Sequence, residues 1–221
     1  MLPQLTLDKL VHSAYDFCEQ QNGLNHVELL GVTDGKAIGT YVEHRFQAYL
    51  QEHYTVKIGN SAMGIDLPGP DIMTDIKVTS VNQPQSSCPF KSARQKVFGL
   101  GYNLLLFVYD KCDQDNVCSL KFVHCAFIER SRTADYTLTR CINDMLEHGA
   151  NKDDIVSLLQ DRNIPGDEIE LEKMASDIIA NPPSIGVLTV SNALQWRLKY
   201  FRAIALNNST PGVINYDWQE S

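Results

Sequence analysis

The run Leu104-Leu105-Leu106-Phe107-Val108-Tyr109 constrains this chain most, because every position in it is apolar. A strand sends alternate side chains to opposite faces, so a strand apolar on both faces must be covered on both. A second long strand is expected over 118–128. Helical spacing of Leu7, Leu10, Val11, Ala14 and Phe17 predicts a helix over 5–20, and Ile38, Val42, Phe46, Tyr49 and Leu50 predict another over 38–53. Short strands are expected at 54–58, 63–67, 73–79 and 187–190, and helices at 87–98, 133–147, 152–161, 167–180 and 191–206. This order predicts an α/β fold: a central mixed β-sheet flanked by helices, with a helix-rich C-terminal part. It reads as a single domain over 1–221, with a core at about 38–130 and a helical appendage at about 133–180.

Charge excludes one function class and leaves a clue. The net charge of −8 argues against a protein that coats nucleic acid by bulk charge. The distribution is uneven. Residues 77–142 hold nine bases and five acids, whereas 144–177 hold ten acids and three bases. No apolar stretch approaches the roughly 18 residues of a membrane span, and the N-terminus lacks a signal-peptide pattern, so no membrane partner is expected. The cysteines, at 18, 88, 112, 118, 125 and 141, show no C-x-x-C spacing. Reduced thiols and a cytoplasmic location are expected, without a zinc ribbon. Glycine-rich nucleotide-binding loops are absent.

The chemistry concentrates in Gly64-Ile65-Asp66-Leu67-Pro68-Gly69-Pro70-Asp71-Ile72-Met73-Thr74-Asp75-Ile76-Lys77. Asp75 and Lys77 are two apart on an expected strand and therefore share a face. A hairpin turning at Pro68-Gly69-Pro70 folds Asp66 back beside Asp75. Asp71 competes for that place, but only three residues separate it from Asp75, against eight for Asp66. The spacing favours Asp66 and leaves Asp71 in the turn. Two adjacent carboxylates repel unless a cation lies between them, and hard oxygen ligands suit Mg²⁺, with Mn²⁺ as a substitute. Such an ion beside a lysine suffices for phosphodiester hydrolysis.

Asp…Asp-x-Lys on a hairpin, following a helix with a glutamate, resembles the PD-(D/E)xK nuclease superfamily. The run Asp75-Ile76-Lys77-Val78-Thr79-Ser80 is most similar to type II restriction endonucleases. The resemblance spans roughly residues 38–110. It implies a restriction-endonuclease-like fold in which Asp66 and Asp75 bind Mg²⁺ and Lys77 serves the nucleophilic water. It further implies that the Ile76 carbonyl is a metal ligand and that Glu43 completes a metal site or holds its water. The alternative for Glu43 is an ordinary exposed helix residue.

The implied activity is Mg²⁺-dependent, sequence-specific cleavage of double-stranded DNA, leaving 5′-phosphate and 3′-hydroxyl ends. Expected partners are the DNA duplex, a second copy of the chain in a homodimer, and a cognate DNA methyltransferase. Candidate DNA contacts are Gln83 and Gln85 after the catalytic strand, and Lys91, Arg94 and Lys96 in the following helix. Asn192, Gln195, Lys199 and Arg202 would share one face of a DNA-contacting helix over 191–206. Two alternatives remain: a structure-specific repair or recombination nuclease, and a non-catalytic DNA-binding protein with a coincidental Asp-x-Lys.

Overall fold

The structure is a computed structural model that describes residues 2–59, 64–88, 91–191 and 197–218. Its helices are α1 (Leu7–Gln21), α2 (Gly35–His53), α3 (Arg94–Phe98), α4 (Tyr136–Glu147), α5 (Lys152–Asp161), α6 (Glu168–Ala180) and α7 (Phe201–Ile204). Its strands are β1 (Thr74–Ser80), β2 (Gln85–Ser87), β3 (Asn103–Gln114), β4 (Val117–Ile128), β5 (Thr189–Val190), β6 (Arg197–Lys199) and β7 (Val213–Asp217). The chain divides into two compact units. The first comprises residues 1–86, 103–128 and 204–221, and the second 87–102 and 129–203.

The first unit is built on a mixed four-stranded sheet in the order β1-β3-β4-β7. β1 runs parallel to β3, and the other pairings are antiparallel. The apolar run lies in β3, where residues 104–108 are fully buried. Asp34 caps α2 by accepting from the Lys36 and Ala37 amides, and Ile38, Val42, Phe46 and Leu50 form one buried stripe. With α1, this stripe packs on Ile76, Leu105 and Phe107. Burial of each such side chain contributes about 1.5–3 kcal/mol. In β4 the inward residues are Cys118, Leu120 and Phe122, then Cys125 and Phe127. The change of phase comes from a register shift opposite Val108/Tyr109, which lets both halves of β4 face the same helices.

The second unit gathers α4, α5 and α6 around Leu138, Ile142, Ile155, Leu159, Leu171, Met174 and Ile178, with Val97 of α3. Capping boxes start α5 (Asn151 with Asp154) and α6 (Asp167 with Glu170). The acidity of this segment is therefore partly structural: Asp153, Asp154, Glu168 and Glu170 occupy first turns, where a negative charge meets the positive end of a helix.

The architecture is the mixed α/β fold expected, but four local expectations fail. The described part of the strand expected over 63–67 makes only a bridge between Leu67 and Thr74, because the turn at 68–73 leaves room for no longer ladder. The segment 54–58 makes only a bridge between Thr55 and Gln4, because its partner is the short N-terminal segment rather than a strand. The helix expected over 87–98 shrinks to α3, with β2 before it. The helix expected over 191–206 is not formed across its described part. Arg197, Leu198, Lys199 and Tyr200 alternate exposed and buried, and β6 pairs with β5. An alternation of period two fits a strand, and only the single turn of α7 follows. β7 carried no sequence signal strong enough to be expected.

Candidate active site

The hairpin that aligns Asp66 with Asp75 is closed by two backbone hydrogen bonds. The Leu67 amide donates to the Thr74 carbonyl at 2.9 Å, and the Thr74 amide donates back at 3.0 Å. This pairing of 67 with 74 sets 66 opposite 75. The turn is held by the Gly69 carbonyl, which accepts from Ile72 at 2.9 Å and Met73 at 2.7 Å, and Asp71 is exposed within it. Gly59 is required beside the site. Its amide donates to the Asp66 carbonyl at 2.7 Å, and a Cβ there would lie 2.0 Å from the Ile65 carbonyl oxygen.

Four of the candidate side chains gather at this edge of the sheet. Lys77 Nζ lies 2.6 Å from Asp75 Oδ2, with side chains 19% and 8% exposed. Asp66 Oδ2 accepts from the Ile76 amide at 2.6 Å, on the side of β1 away from β3. The N–H and C=O of a strand residue point to the same edge, so the Ile76 carbonyl faces that side too. Asp66 shares hydrogen bonds with both Asp75 and Glu43. Glu43 is half-buried on α2, and Gln47 Nε2 donates to its Oε1 at 3.1 Å.

The electrostatics follow from crowding acids in a poorly hydrated place. Burial pushes Asp75 up to about 7; Lys77 opposes the shift and Asp66 reinforces it. Glu43 is raised by burial first and by Asp66 second. Adjacent carboxylates that share protons in this way present oxygens a divalent cation can take over. Among the described residues, no three His, Cys, Asp or Glu side chains converge as a ready-made metal cage. Mg²⁺ does not need one, since it is typically held by one or two carboxylates and keeps several waters. Asp66, Asp75 and the Ile76 carbonyl therefore fit as its ligands, with Glu43 beside them.

Comparison with known proteins adds a family. The family model described as "Type II restriction enzyme NspV" matches residues 4–215. The chain belongs to this family. The type II restriction enzyme NspV of Nostoc sp. is 50% identical over 212 residues, covering 95% of this chain and 96% of that protein. Among solved structures, the tetrameric restriction endonuclease SfiI bound to cognate DNA aligns over 100% of this chain and 90% of its own, with a TM-score of 0.45 and 12% identity.

The remaining candidate residues of this NspV-family chain are scattered. Thr79 Oγ1 lies 3.0 Å from the Gln83 carbonyl and accepts from the Gln85 amide at 3.1 Å. It organises the turn after β1, in which Gln83 is exposed and Gln85 half-buried. Lys91 is exposed, whereas Arg94 is ion-paired with Asp177 at 2.7 Å and stacked on Phe98. Lys96 is buried, and burial lowers its pKa. Lys199 is exposed on β6, and Arg202 lies over the Tyr136 ring at 3.3 Å. Asn192 and Gln195 lie outside the described residues. The shared helical face of Asn192, Gln195, Lys199 and Arg202 is thus corrected: Lys199 is on a strand and Arg202 on a separate turn. Sequence reasoning missed Gln47 and Thr79. The four-residue step from Glu43 to Gln47 was a usable signal; the role of Thr79 depends on a turn no pattern announced.

Proposed function

We propose that this chain is a Mg²⁺-dependent, sequence-specific endonuclease that cuts double-stranded DNA and leaves 5′-phosphate and 3′-hydroxyl ends. The observation that carries the reading is the hairpin register, which puts Asp66 beside Asp75 and Lys77, with Glu43 reaching Asp66. Membership of the NspV type II restriction enzyme family supports the same activity.

Asp66 and Asp75 would hold the ion together with the Ile76 carbonyl. Bound there, Mg²⁺ supplies the positive charge against which water loses a proton and the phosphoryl group accumulates charge. Lys77, pinned by Asp75, orients the attacking water and offsets negative charge as it develops. Glu43, steadied by Gln47, holds water on the side of Asp66. The new bond joins the water oxygen to phosphorus, the bond from phosphorus to the 3′-oxygen breaks, and that oxygen leaves with a proton. A twofold dimer suits a palindromic target, and a methyltransferase of matching specificity protects host DNA in the cytoplasm.

The test is digestion of a viral genome of known sequence with and without Mg²⁺, followed by sequencing of the ends. Discrete fragments sharing one sequence at their ends are expected. Random degradation, or cutting confined to branched or mismatched DNA, would refute the proposal.

A further inference from the structure

One stretch of this acidic chain carries no acid at all. Residues 178–216 contain Arg197, Lys199 and Arg202 but neither Asp nor Glu, in a chain with 27 acids among 221 residues. The middle of the stretch forms β5 and β6, in a three-stranded sheet of order β2-β6-β5. Thr189 pairs with Lys199 and Val190 with Leu198, and the Ser191 amide donates to the Arg197 carbonyl at 3.0 Å. Directly opposed residues share a face of the sheet. One face therefore carries Val190 and Leu198, both buried. The other carries Thr189, Arg197 and Lys199, all exposed, with Ser191 half-buried opposite Arg197.

Two features set this exposed face apart from an ordinary solvated one. The first is the lack of counter-ions. Elsewhere in the second unit, Arg94 pairs with Asp177, Arg140 with Asp144 and Lys152 with Glu172. Arg197 and Lys199 form no ion pair among the described residues. The second is rigidity. The Val190 amide donates to Oδ2 of the buried Asp135 at 2.8 Å, and Oδ1 of that carboxylate caps α4 through the Leu138 amide at 2.8 Å. The Leu188 carbonyl accepts from the Tyr136 amide at 2.8 Å. The backbone that carries the two cations is thus ordered before anything binds, which lowers the entropic cost of binding.

We infer that the exposed face of β5 and β6 enters the major groove of bound DNA, where Arg197 reads a guanine and Lys199 holds a phosphate. The inference rests on the sequence-specific cleavage proposed above and names what reads the sequence. Three strands span about 10 Å and the major groove is about 12 Å wide, so the sheet fits within it. The division of labour follows from the side chains. A guanidinium fork matches the O6 and N7 acceptors of guanine, whereas an ammonium is a point charge suited to a phosphate. Arg197 opens β6 and Lys199 closes it. They stand about 7 Å apart along the strand, against a rise of about 3.4 Å per base pair, so the two do not serve the same base pair. Lys199 thus remains a DNA contact on a strand rather than a helix, and Arg197 is a new assignment.

The test uses the full chain. A genome of known sequence is digested with Mg²⁺ by the wild type, Arg197→Gln and Lys199→Gln, and the ends are sequenced. Arg197→Gln should accept other bases at a guanine position of the site, and Lys199→Gln should keep the wild-type site. Binding is then followed by fluorescence anisotropy in EDTA, so that nothing is cut, across a range of NaCl. The probes are a 30-base-pair duplex carrying the wild-type site and one lacking it. Arg197→Gln should lower the preference for the site by about 10–100-fold. Lys199→Gln should weaken binding of both duplexes several-fold and lower the slope of log K against log salt by about one. Both side chains are exposed, so each variant should melt with the wild type. Unchanged fidelity with an unchanged salt slope would overturn the inference, as would losses that merely follow a lowered Tm. A wild type that yields no discrete fragments would sink the endonuclease reading instead, and DNA binding by this sheet would then stand or fall on the Lys199→Gln salt slope.

Discussion

The paired strands β1 and β3 each carry an aspartate and a lysine two residues apart, and the two pairs behave in opposite ways. On β1, Lys77 meets Asp75 at 2.6 Å; on β3, Lys111 meets both oxygens of Asp113 at 2.5 and 2.6 Å. Asp75 is nevertheless pushed up to about 7, while Asp113 is held down at about 2. Lys111 is the largest influence on Asp113, followed by the Gly31 amide at 2.9 Å, and the carboxylate stands in solvent. Asp75 is buried and shares a hydrogen bond with Asp66. An ion pair by itself therefore makes a strut. Burial and a second carboxylate turn the same pair into a place that calls for an additional cation.

The sharpest way to break this comparison is to remove each pair. Lys77→Ala and Asp75→Asn should reduce cleavage by about 10³-fold or more while DNA binding persists, because charge stabilisation at the phosphate is lost. Lys111→Ala and Asp113→Asn should leave the rate within about twofold. Plasmid linearisation under saturating Mg²⁺ reads all four. Equal losses from both pairs would mean that burial is not what distinguishes them.

The β1 half of this contrast was legible in the sequence. The Asp75-Ile76-Lys77 spacing and the room for a turn after Asp66 rest on local geometry, which a single strand and hairpin determine. Helices α4 to α6 were legible because caps and apolar periodicity are local too. The failures have another cause. The segment around Leu198 has an apolar pattern that suits a helix or a strand, and pairing with β5, which the pattern itself does not announce, decides between them. Likewise, nothing local separates Asp75 from Asp113. The difference lies in which groups the fold brings against each.

Glu43 tests how far the acidic cluster extends. Glu43→Gln keeps the shape and the contact with Gln47 but removes a charge that Asp66 feels. A loss of roughly 10–100-fold in rate is expected, with the larger part recovered by raising Mg²⁺. An unchanged rate would confine the site to β1 and its hairpin. The metal requirement should also follow Asp75. A proton and the ion compete for this carboxylate, so below about pH 7 the Mg²⁺ concentration for half-maximal rate should rise about tenfold per pH unit. Above that pH it should level off. No comparable dependence should be traceable to Asp113, which remains ionised throughout.

Stability offers the smallest effect and the cleanest sign. A carboxyl whose folded pKa is raised binds its proton more tightly in the folded protein than in the unfolded chain, where the value is about 3.9. Asp75 therefore costs stability progressively as pH rises from about 4 to about 7, and the loss is constant above. Asp75→Asn escapes it, so its advantage over the wild type should open across that window and stay near 1–3 kcal/mol at pH 8, after allowing for the partner Lys77 loses. Asp113 has the reverse sign. Its stabilisation is present above the unfolded carboxylate pKa and fades as pH falls toward about 2, so Asp113→Asn should lower Tm at neutral pH. Millimolar Mg²⁺ should narrow the gap at β1 by stabilising only the wild type, and should leave the Asp113 difference untouched. Melting curves at pH 5 and 8, with and without Mg²⁺, separate these cases; an Asp75→Asn chain less stable at both would show that its bond to Lys77 outweighs the cost of burying the charge.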